Sequence, residues 1–213
     1  MTTIIIIRHG QSVANLNKVF AGHFDADLSD MGHTQAKLTA KEIASKFKID
    51  KIYASDLKRA YNTALPLAEL LGLEIIPDEG LREIYAGEWE GRTFDELASV
   101  YAHDYTVWRT DIGNSRCTGG ESARELGERM QAKIREIAKE NEGKTVAVAT
   151  HAAAIRSLMA ICSENGFDGM KDIPFVSNAS YSVIKVENDE LLFTETSLDD
   201  HLGEFKTKFP PKV

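Results

Sequence analysis

The chain has 213 residues, a length that suits one domain with a sizeable core, and its 43% apolar and 27% charged residues are typical of a globular protein. Its formal net charge of −8 argues against a general binder of nucleic acids or anionic membranes, because surfaces that bind such partners are basic. No apolar run approaches the roughly 18 residues of a membrane span and no signal peptide is recognisable, so we expect a cytoplasmic protein whose two cysteines, Cys117 and Cys162, are reduced thiols.

The first predicted element is a short strand, Ile4-Ile5-Ile6-Ile7, which stops at Arg8, His9 and Gly10. Four consecutive β-branched residues are typical of a strand that is buried on both faces, in the middle of a parallel sheet. Ligands of open α/β sheets bind at the carboxyl ends of the strands. Arg8 and His9 are therefore expected at a binding edge, where Gly10 permits close approach of the backbone.

The next elements alternate between helix and strand. A polar connection leads to an amphipathic helix for which Ser29 is the natural N-cap. A second strand is predicted at residues 51–54. Ser55 is then expected to cap a helix that carries Arg59 in its first turns and that Pro66 kinks or divides.

The middle of the chain is predicted to contain one more strand and two more helices. The strand covers residues 73–76, and a less regular region follows at 81–91. An apolar and aromatic stripe with helical spacing predicts a helix over residues 94–108. Gly119-Gly120 then interrupt the helical pattern. A long amphipathic helix is predicted after them, with four apolar residues on its inner face: Leu126, Met130, Ile134 and Ile137.

The last third begins with a fourth apolar strand, residues 145–149, that ends at Thr150-His151 and leads into a helix over residues 152–162. Two further strands, at 181–186 and 191–196, form a predicted hairpin around Asn188-Asp189. The polar residues 199–213, which contain two consecutive prolines, are expected to form a loosely held tail.

This alternation predicts an α/β fold, a three-layer α/β/α sandwich with a mostly parallel central sheet. Right-handed crossovers would place the tips of three strands on the same edge of that sheet. Arg8 with His9, then Arg59, then His151 would converge there, together with helix N-termini that also favour anions. Guanidinium groups suit phosphate because they offer a planar fork of donors, so the pattern predicts a phosphate pocket.

Six ordered sequence blocks extend well past the Arg8-His9-Gly10 triplet. They are Arg-His-Gly with Asn15 six residues after His9, Leu28-Ser29-x-x-Gly32-x-x-Gln35-Ala36, Ser55-x-Leu57-x-Arg59-Ala60-x-x-Thr63-Ala64, Leu81-Arg82-Glu83-x-x-x-Gly87-x-Trp89-Glu90-Gly91, Gly119-Gly120-Glu121-Ser122 with Arg129, and the strand ending in His151. In these blocks the chain resembles the histidine phosphatase superfamily, also called phosphoglycerate-mutase-like, and its small phosphatases more than its mutases. Ala152 departs from the pattern, since glycine is common there.

The resemblance implies a role for each matched residue. His9 would be the nucleophile that becomes phosphorylated, and Glu83 would be the proton donor. Arg8, Arg59 and His151 would bind the phosphoryl oxygens, with help from Asn15. Three more residues are candidates for substrate contact, namely Gly22, His23 and Ala152. No metal ligand is implied, and the second nitrogen of His9 is expected to find a backbone carbonyl.

Several residues admit a second interpretation. Glu88 and Glu90 could compete with Glu83 for the acid role, although only Glu83 has the family's spacing to Gly87. Asp25 and Asp27 look like a metal-binding carboxylate pair, but no apolar strand precedes them, so they are interpreted as loop acids. The aromatic stripe from 94 to 108 could stack on a substrate, yet its helical spacing favours packing.

The expected function is metal-independent hydrolysis of a small phosphomonoester through a phosphohistidine. A cofactor-dependent phosphoglycerate mutase is the first alternative, and only this alternative would need 2,3-bisphosphoglycerate as cofactor. It is less favoured because Arg109 and Arg116 are separated, whereas the mutases carry paired arginines in the insertion. An inactive binding relative is the second alternative.

The expected organisation is a single domain over residues 1–198, with a helical insertion at about 93–118 as a lid over the site and a tail at 199–213. The expected partner is a small phosphate ester rather than a nucleic acid or a membrane. Monomer and homodimer both stay open, because exposed edge strands near residues 181–196 would allow a dimer without requiring one.

Overall fold

A computed structural model describes residues 1–207 of the chain. The strands are β1 (Thr2–Arg8), β2 (Lys51–Ala54), β3 (Ile75–Pro77), β4 (Thr145–Thr150), β5 (Tyr181–Glu187) and β6 (Glu190–Leu198). The α-helices are α1 (Val13–Leu16), α2 (Asp30–Lys46), α3 (Lys58–Leu71), α4 (Phe94–Val100), α5 (Ala102–Thr110), α6 (Ala123–Glu140) and α7 (Ala152–Ile161). Five short 3₁₀-helices within the same residues are Glu79–Leu81, Gly87–Trp89, Ile112–Asn114, Gly166–Asp172 and Asp200–Phe205.

The strands of the described chain form one mixed sheet in the order β3-β2-β4-β1-β5-β6. The pairs β3 with β2, β2 with β4 and β4 with β1 are parallel, and β5 and β6 continue the sheet in antiparallel pairs. The predicted α/β class with a mostly parallel sheet is confirmed. The carboxyl ends of β1, β2 and β4 therefore lie side by side at one edge.

The isoleucine run of β1 is apolar throughout because the sheet is covered on both faces. Ile4 and Ile6 pack in the core that β1 shares with α6 and α7, whereas Ile5 and Ile7 face the core shared with α2 and α3. All four side chains are at most 2% exposed. Burial on both faces is the condition that a continuous apolar strand indicates, and it fixes β1 at the centre of the molecule.

The N-cap predicted from the sequence is confirmed for α2 and is wrong for α3. Ser29 caps α2, because its hydroxyl accepts from the Gly32 N–H at 3.1 Å. The prediction that Ser55 caps the next helix is wrong: Leu57 occupies the N-cap of α3 without a side-chain cap, and the Ser55 hydroxyl contacts His151 instead. Pro66 lies inside α3 and does not divide it.

Two predicted elements have different bounds in the structure. The third strand is shorter and starts later, at Ile75–Pro77. The predicted helix over residues 94–108 is two helices, α4 and α5, because Tyr101 has a non-helical backbone between them. The aromatic residues of this segment pack together around the buried Trp89, which confirms packing as the interpretation of the stripe: Tyr101, Tyr105 and Trp108.

The carboxyl-terminal part contains one confirmed and one corrected prediction. The hairpin of β5 and β6 turns at Asn188-Asp189, both with positive φ, as a two-residue hairpin turn requires. The looseness expected from residue 199 onward is wrong for Asp200–Phe205, because this 3₁₀-helix packs against α2 and buries Leu202. Residues 208–213, with Pro210-Pro211, lie outside the described residues. Over residues 1–207, every helix is too short or too polar to cross a bilayer.

Candidate active site

His9 follows β1 at the sheet edge and is oriented by its own loop. Its side chain is 4% exposed, and Nδ1 lies 2.7 Å from the carbonyl oxygen of Gly10. Because a carbonyl can only accept, Nδ1 carries the proton and Nε2 keeps its lone pair. Burial first, then the charges of Arg59 and Arg8, lower the pKa of His9 well below its usual value. The ring is therefore neutral at pH 7, and the expected backbone carbonyl partner is confirmed.

Gly10 and Gly32 bring the His9 loop against the start of α2. A Cβ on Gly10 would lie 2.6 Å from the Gly32 carbonyl oxygen, and a Cβ on Gly32 would lie 2.1 Å from the Gln11 carbonyl oxygen. Both contacts are too short for a side chain, so two glycines are needed where the backbones meet. Thr63 on α3 adds a hydroxyl that accepts from the Gly10 N–H at 3.0 Å.

Arg8 and Arg59 bring two buried cations to the same edge. Arg8 Nη1 donates to the Val176 carbonyl oxygen at 2.5 Å, and its guanidinium lies 4.9 Å from the ring centre of Phe175. Arg59 Nη2 donates to the Gly22 carbonyl oxygen at 2.7 Å. Burial lowers the pKa of both arginines to about 10, and Glu83 opposes that shift. Both guanidinium groups thus stay charged at neutral pH.

His151 stands at the N-cap of α7, after the tip of β4. Its ring is completely buried, and its centre lies 5.2 Å from that of His9 at an interplanar angle of 62°. Nε2 lies 2.8 Å from the hydroxyl of Ser55, while Nδ1 is buried without a hydrogen-bond partner among residues 1–207. Burial, followed by the charge of Arg59, lowers the pKa of His151 well below its usual value.

Glu83 reaches the same edge from the loop before the Gly87–Trp89 turn. Its carboxylate accepts from the N–H groups of Ala154 at 3.0 Å and Ala153 at 3.2 Å, at the first turn of α7. The positive end of a helix favours a carboxylate in this position. The backbone of Glu83 is held as well, because its carbonyl oxygen accepts from Arg129 Nη2 at 3.1 Å.

Asn15 is linked to His9 by Asn178, a residue that the sequence analysis did not select. Asn178 Nδ2 donates to the carbonyl oxygen of His9 and to Oδ1 of Asn15, both at 3.2 Å. The next residue, Ala179, has a positive φ of 56° and donates its N–H to the same His9 carbonyl at 3.1 Å. Nothing in the sequence pattern of 173–180 indicates this role, because the segment belongs to neither a strand nor an α-helix.

The three remaining candidates for substrate contact lie around this group. Gly22 has a positive φ of 52°, and its carbonyl oxygen accepts a hydrogen bond from Arg59 Nη2. His23 Nε2 lies 2.8 Å from the Glu83 carbonyl oxygen, and its ring centre is 5.4 Å from that of Tyr85. Ala152 is the first residue of α7, and its φ is not positive. The two α7 N–H groups that donate to the Glu83 carboxylate belong to the next two residues, Ala153 and Ala154.

The competing acids already have hydrogen-bond partners. Glu88 accepts from the Tyr101 hydroxyl at 3.1 Å, and Glu90 Oε1 accepts from the backbone N–H groups of His23 and Ala86. Asp25 and Asp27 are loop acids, because Asp25 accepts from the Lys58 N–H and Asp27 accepts from Asn62 and Leu28. Across residues 1–207, no three His, Cys, Asp or Glu side chains are grouped as metal ligands would be.

Comparison with known sequences identifies the family. The sequence profile described as histidine phosphatase superfamily (branch 1) matches residues 4–198. Phosphoserine phosphatase 1 of Hydrogenobacter thermophilus is 36% identical over 206 residues, which cover 96% of both chains. A metal-independent phosphoserine phosphatase of Arabidopsis thaliana is 28% identical and covers 95% of this chain and 84% of that one.

Solved structures agree with the sequence matches. Bacillus stearothermophilus YhfR superposes with a TM-score of 0.90 at 26% identity, over 95% of this chain and all of that one (100%). A mutant phosphoserine phosphatase of Entamoeba histolytica, in complex with phosphoserine, superposes with a TM-score of 0.82 at 28% identity over 95% and 100% of the two chains. The matches agree with a sheet edge that gathers two histidines, two arginines and a glutamate. This chain therefore belongs to the histidine phosphatase superfamily, branch 1, and is a phosphatase.

Proposed function

We propose that the protein hydrolyses a small phosphomonoester without a metal ion, through a covalent phosphohistidine at His9. The observation that carries the proposal is the orientation of His9. Its Nδ1 proton is bound by the Gly10 carbonyl, so its Nε2 lone pair is available to attack phosphorus. The low pKa of the buried ring keeps this lone pair unprotonated at neutral pH.

The first step needs positive charge around the phosphoryl oxygens. Arg8, Arg59 and His151 are proposed to bind them, with Asn15 assisting through its side-chain amide. The transferred phosphoryl group carries its negative charge on these oxygens throughout, so fixed donors and cations lower the barrier. A charge pair at about 4 Å is worth roughly 4 kcal/mol at an effective dielectric of about 20, before desolvation.

Glu83 is proposed as the general acid and base. In the first half-reaction Glu83, in its protonated form beside the bound phosphate dianion, gives a proton to the oxygen of the leaving alcohol as the bond to phosphorus breaks. In the second half-reaction the carboxylate takes a proton from the water that attacks phosphohistidine, and His9 leaves with its Nε2 lone pair restored. The support for this role is the position of the carboxylate at the first turn of α7, two residues beyond His151.

The proposed substrate class is a small phosphomonoester that also carries a carboxylate, with phosphoserine as the first candidate. Two relatives are named phosphoserine phosphatases, and structures of the Entamoeba histolytica enzyme contain phosphoserine or 3-phosphoglyceric acid. Gly22, His23 and Ala152 are proposed to line the substrate side of the pocket. The insertion at about 93–118 is proposed to act as its lid.

A cytoplasmic location is also proposed. In this location Cys117 and Cys162, which are free within residues 1–207, would be kept as reduced thiols.

Hydrolysis of an aryl phosphate and of phosphoserine in the presence of a chelator tests the proposal. We expect both to be hydrolysed. His9→Ala should lower the activity by a factor of at least about 10³, since it removes the proposed nucleophile. His33→Ala is the matched control, because His33 is exposed on α2 and should leave activity unchanged. Activity that requires an added divalent metal would contradict the proposal. Interconversion of phosphoglycerates on addition of 2,3-bisphosphoglycerate, with negligible hydrolysis, would favour a mutase instead.

A further inference from the structure

Ser55 contacts His151 at the base of the site, and neither residue is exposed at all. The Ser55 hydroxyl oxygen lies 2.8 Å from His151 Nε2. The family match over residues 4–198 includes both residues but does not give the direction of this hydrogen bond. Its direction follows from counting protons.

The Ser55 oxygen already accepts one hydrogen bond, from the Leu57 N–H at 3.3 Å. Its own proton also needs an acceptor, because an unsatisfied buried donor is costly. Among the side-chain hydrogen bonds of residues 1–207, His151 Nε2 is the one acceptor within reach of that proton. The hydroxyl therefore donates to Nε2.

A neutral imidazole has one N–H, so a proton from Ser55 on the Nε2 side places the ring's own proton on Nδ1. This nitrogen is buried and has no partner in the described part of the chain, and its ring lies 5.2 Å from that of His9. A donor without an acceptor, next to the proposed nucleophile, suits the oxygen of an incoming phosphoryl group. In the opposite tautomer, Ser55 would lose its acceptor and a bare lone pair would face the phosphoryl oxygens.

We infer that Ser55 is a positioning residue that holds His151 in the Nδ1–H tautomer, so that His151 binds a phosphoryl oxygen as a neutral donor. The two histidines then carry their protons on the same atom but use opposite ends of the ring. His9 presents a lone pair at Nε2, and His151 presents a proton at Nδ1. This inference rests on the proposed function, because it assigns one contact of that same site.

Nuclear magnetic resonance of the protein labelled with ¹⁵N-histidine tests the tautomer directly. Long-range ¹H–¹⁵N correlations at pH 7 should show His151 with a protonated Nδ1 and a bare Nε2, and His151→Asn assigns its signals by removing them. On addition of inorganic phosphate, the Nδ1 and Hδ1 signals of His151 should shift. Free histidine prefers the other tautomer, so the expected pattern is diagnostic.

Removal of the hydroxyl tests the role of Ser55. Ser55→Ala should convert His151 wholly or partly to the Nε2–H tautomer and lower kcat/KM by about 10-fold to 100-fold, the range typical of partners that orient a site residue. Inhibition by inorganic phosphate should weaken in parallel. Ser157→Ala is the matched control, because the Ser157 hydroxyl is also completely buried but has no hydrogen-bond partner among the described residues. It should preserve both tautomer and rate.

Either of two results would overturn the inference: an Nε2–H tautomer for His151 in the unmodified protein, or a Ser55→Ala variant with unchanged tautomer and unchanged kcat/KM. Both differ from a failure of the proposed function. The tautomer of the resting protein is measured without any turnover, whereas absence of phosphatase activity would refute the proposed function and leave the tautomer as measured.

Discussion

At the scale of single residues, the main feature of the candidate site is that two neutral histidines lie beside two charged arginines. His9 and His151 are buried, and Arg59 lies close enough to both to disfavour a second positive charge. A protonated imidazole cannot attack phosphorus. The burial that costs the protein stability in acid is therefore the same burial that keeps His9, the proposed nucleophile, neutral. The arginines remain charged because their pKa values, although lowered, are about 10.

This arrangement predicts a pH-dependent stability. Each ring has a pKa well below 6.5 in the folded protein, whereas the unfolded chain restores the ordinary value of 6.5. Below pH 6.5 the unfolded state therefore binds more protons, and the free energy of unfolding falls as the pH falls towards the folded pKa values. One pH unit below the ordinary value, the loss is about 1.4 kcal/mol for each histidine.

Urea unfolding of the protein and of His9→Asn between pH 7.5 and about 5 measures the effect. The variant should lose less free energy of unfolding over this interval, by roughly the contribution of one histidine. His33→Asn, at an exposed position, should behave like the unmodified protein. Equal pH dependence in His9→Asn and the unmodified protein would contradict the neutral, buried state of His9.

At the scale of elements, the strand ends carry most of the site residues, and α6 holds the loop that carries Glu83. Arg129 on this helix donates from Nη1 to the carbonyl oxygens of Gly80 and Arg82, both at 3.0 Å, and from Nη2 to that of Glu83 at 3.1 Å. Arg129 also donates from Nε and Nη2 to the Glu121 carboxylate. That carboxylate in turn accepts from the Tyr85 N–H. One guanidinium thus sets the path of the loop that carries the proposed acid.

Arg129→Lys should lower kcat about tenfold with little change in inhibition by inorganic phosphate. An ammonium group has three donors and no planar fork, so it cannot replace all of these bonds, and the displaced Glu83 would protonate the leaving group less well. Arg135→Lys on the same helix is the control, because Arg135 contacts Gln131 and the exposed hairpin turn at Asp189. An unchanged kcat in Arg129→Lys would show that the fork does not position Glu83.

The sequence was sufficient to predict the strands that carry the site, because an apolar run such as that of β1 reflects burial on both faces. It also predicted the convergence of Arg8, Arg59 and His151, since the parallel crossovers bring their strand ends to one edge. It did not predict the contacts of Ser55 or Asn178. A serine before a helix has the same local pattern whether it caps that helix or bonds a histidine 96 positions away, and only the folded chain distinguishes the two.

At the scale of the whole molecule, two buried arginines, Arg8 and Arg59, lie at one sheet edge of an acidic protein of net charge −8. The first turn of α7 lies at the same edge, where its N–H groups bond Glu83. The carboxyl-terminal segment is linked to this edge through Gln35. Gln35 on α2 accepts from the Gln11 N–H at 2.8 Å and donates to the Phe205 carbonyl oxygen at 2.7 Å. The Asp200–Phe205 segment is thus connected to the loop that follows His9.

The covalent intermediate is the claim on which the whole account depends. Incubation with a ³²P-labelled phosphomonoester, followed by rapid denaturation at alkaline pH and peptide mapping, measures it directly, because phosphohistidine survives in base. The account predicts label on His9, no label in His9→Ala, and retained label in the His33→Ala control. Label on a different residue, or full turnover by His9→Ala, would contradict it.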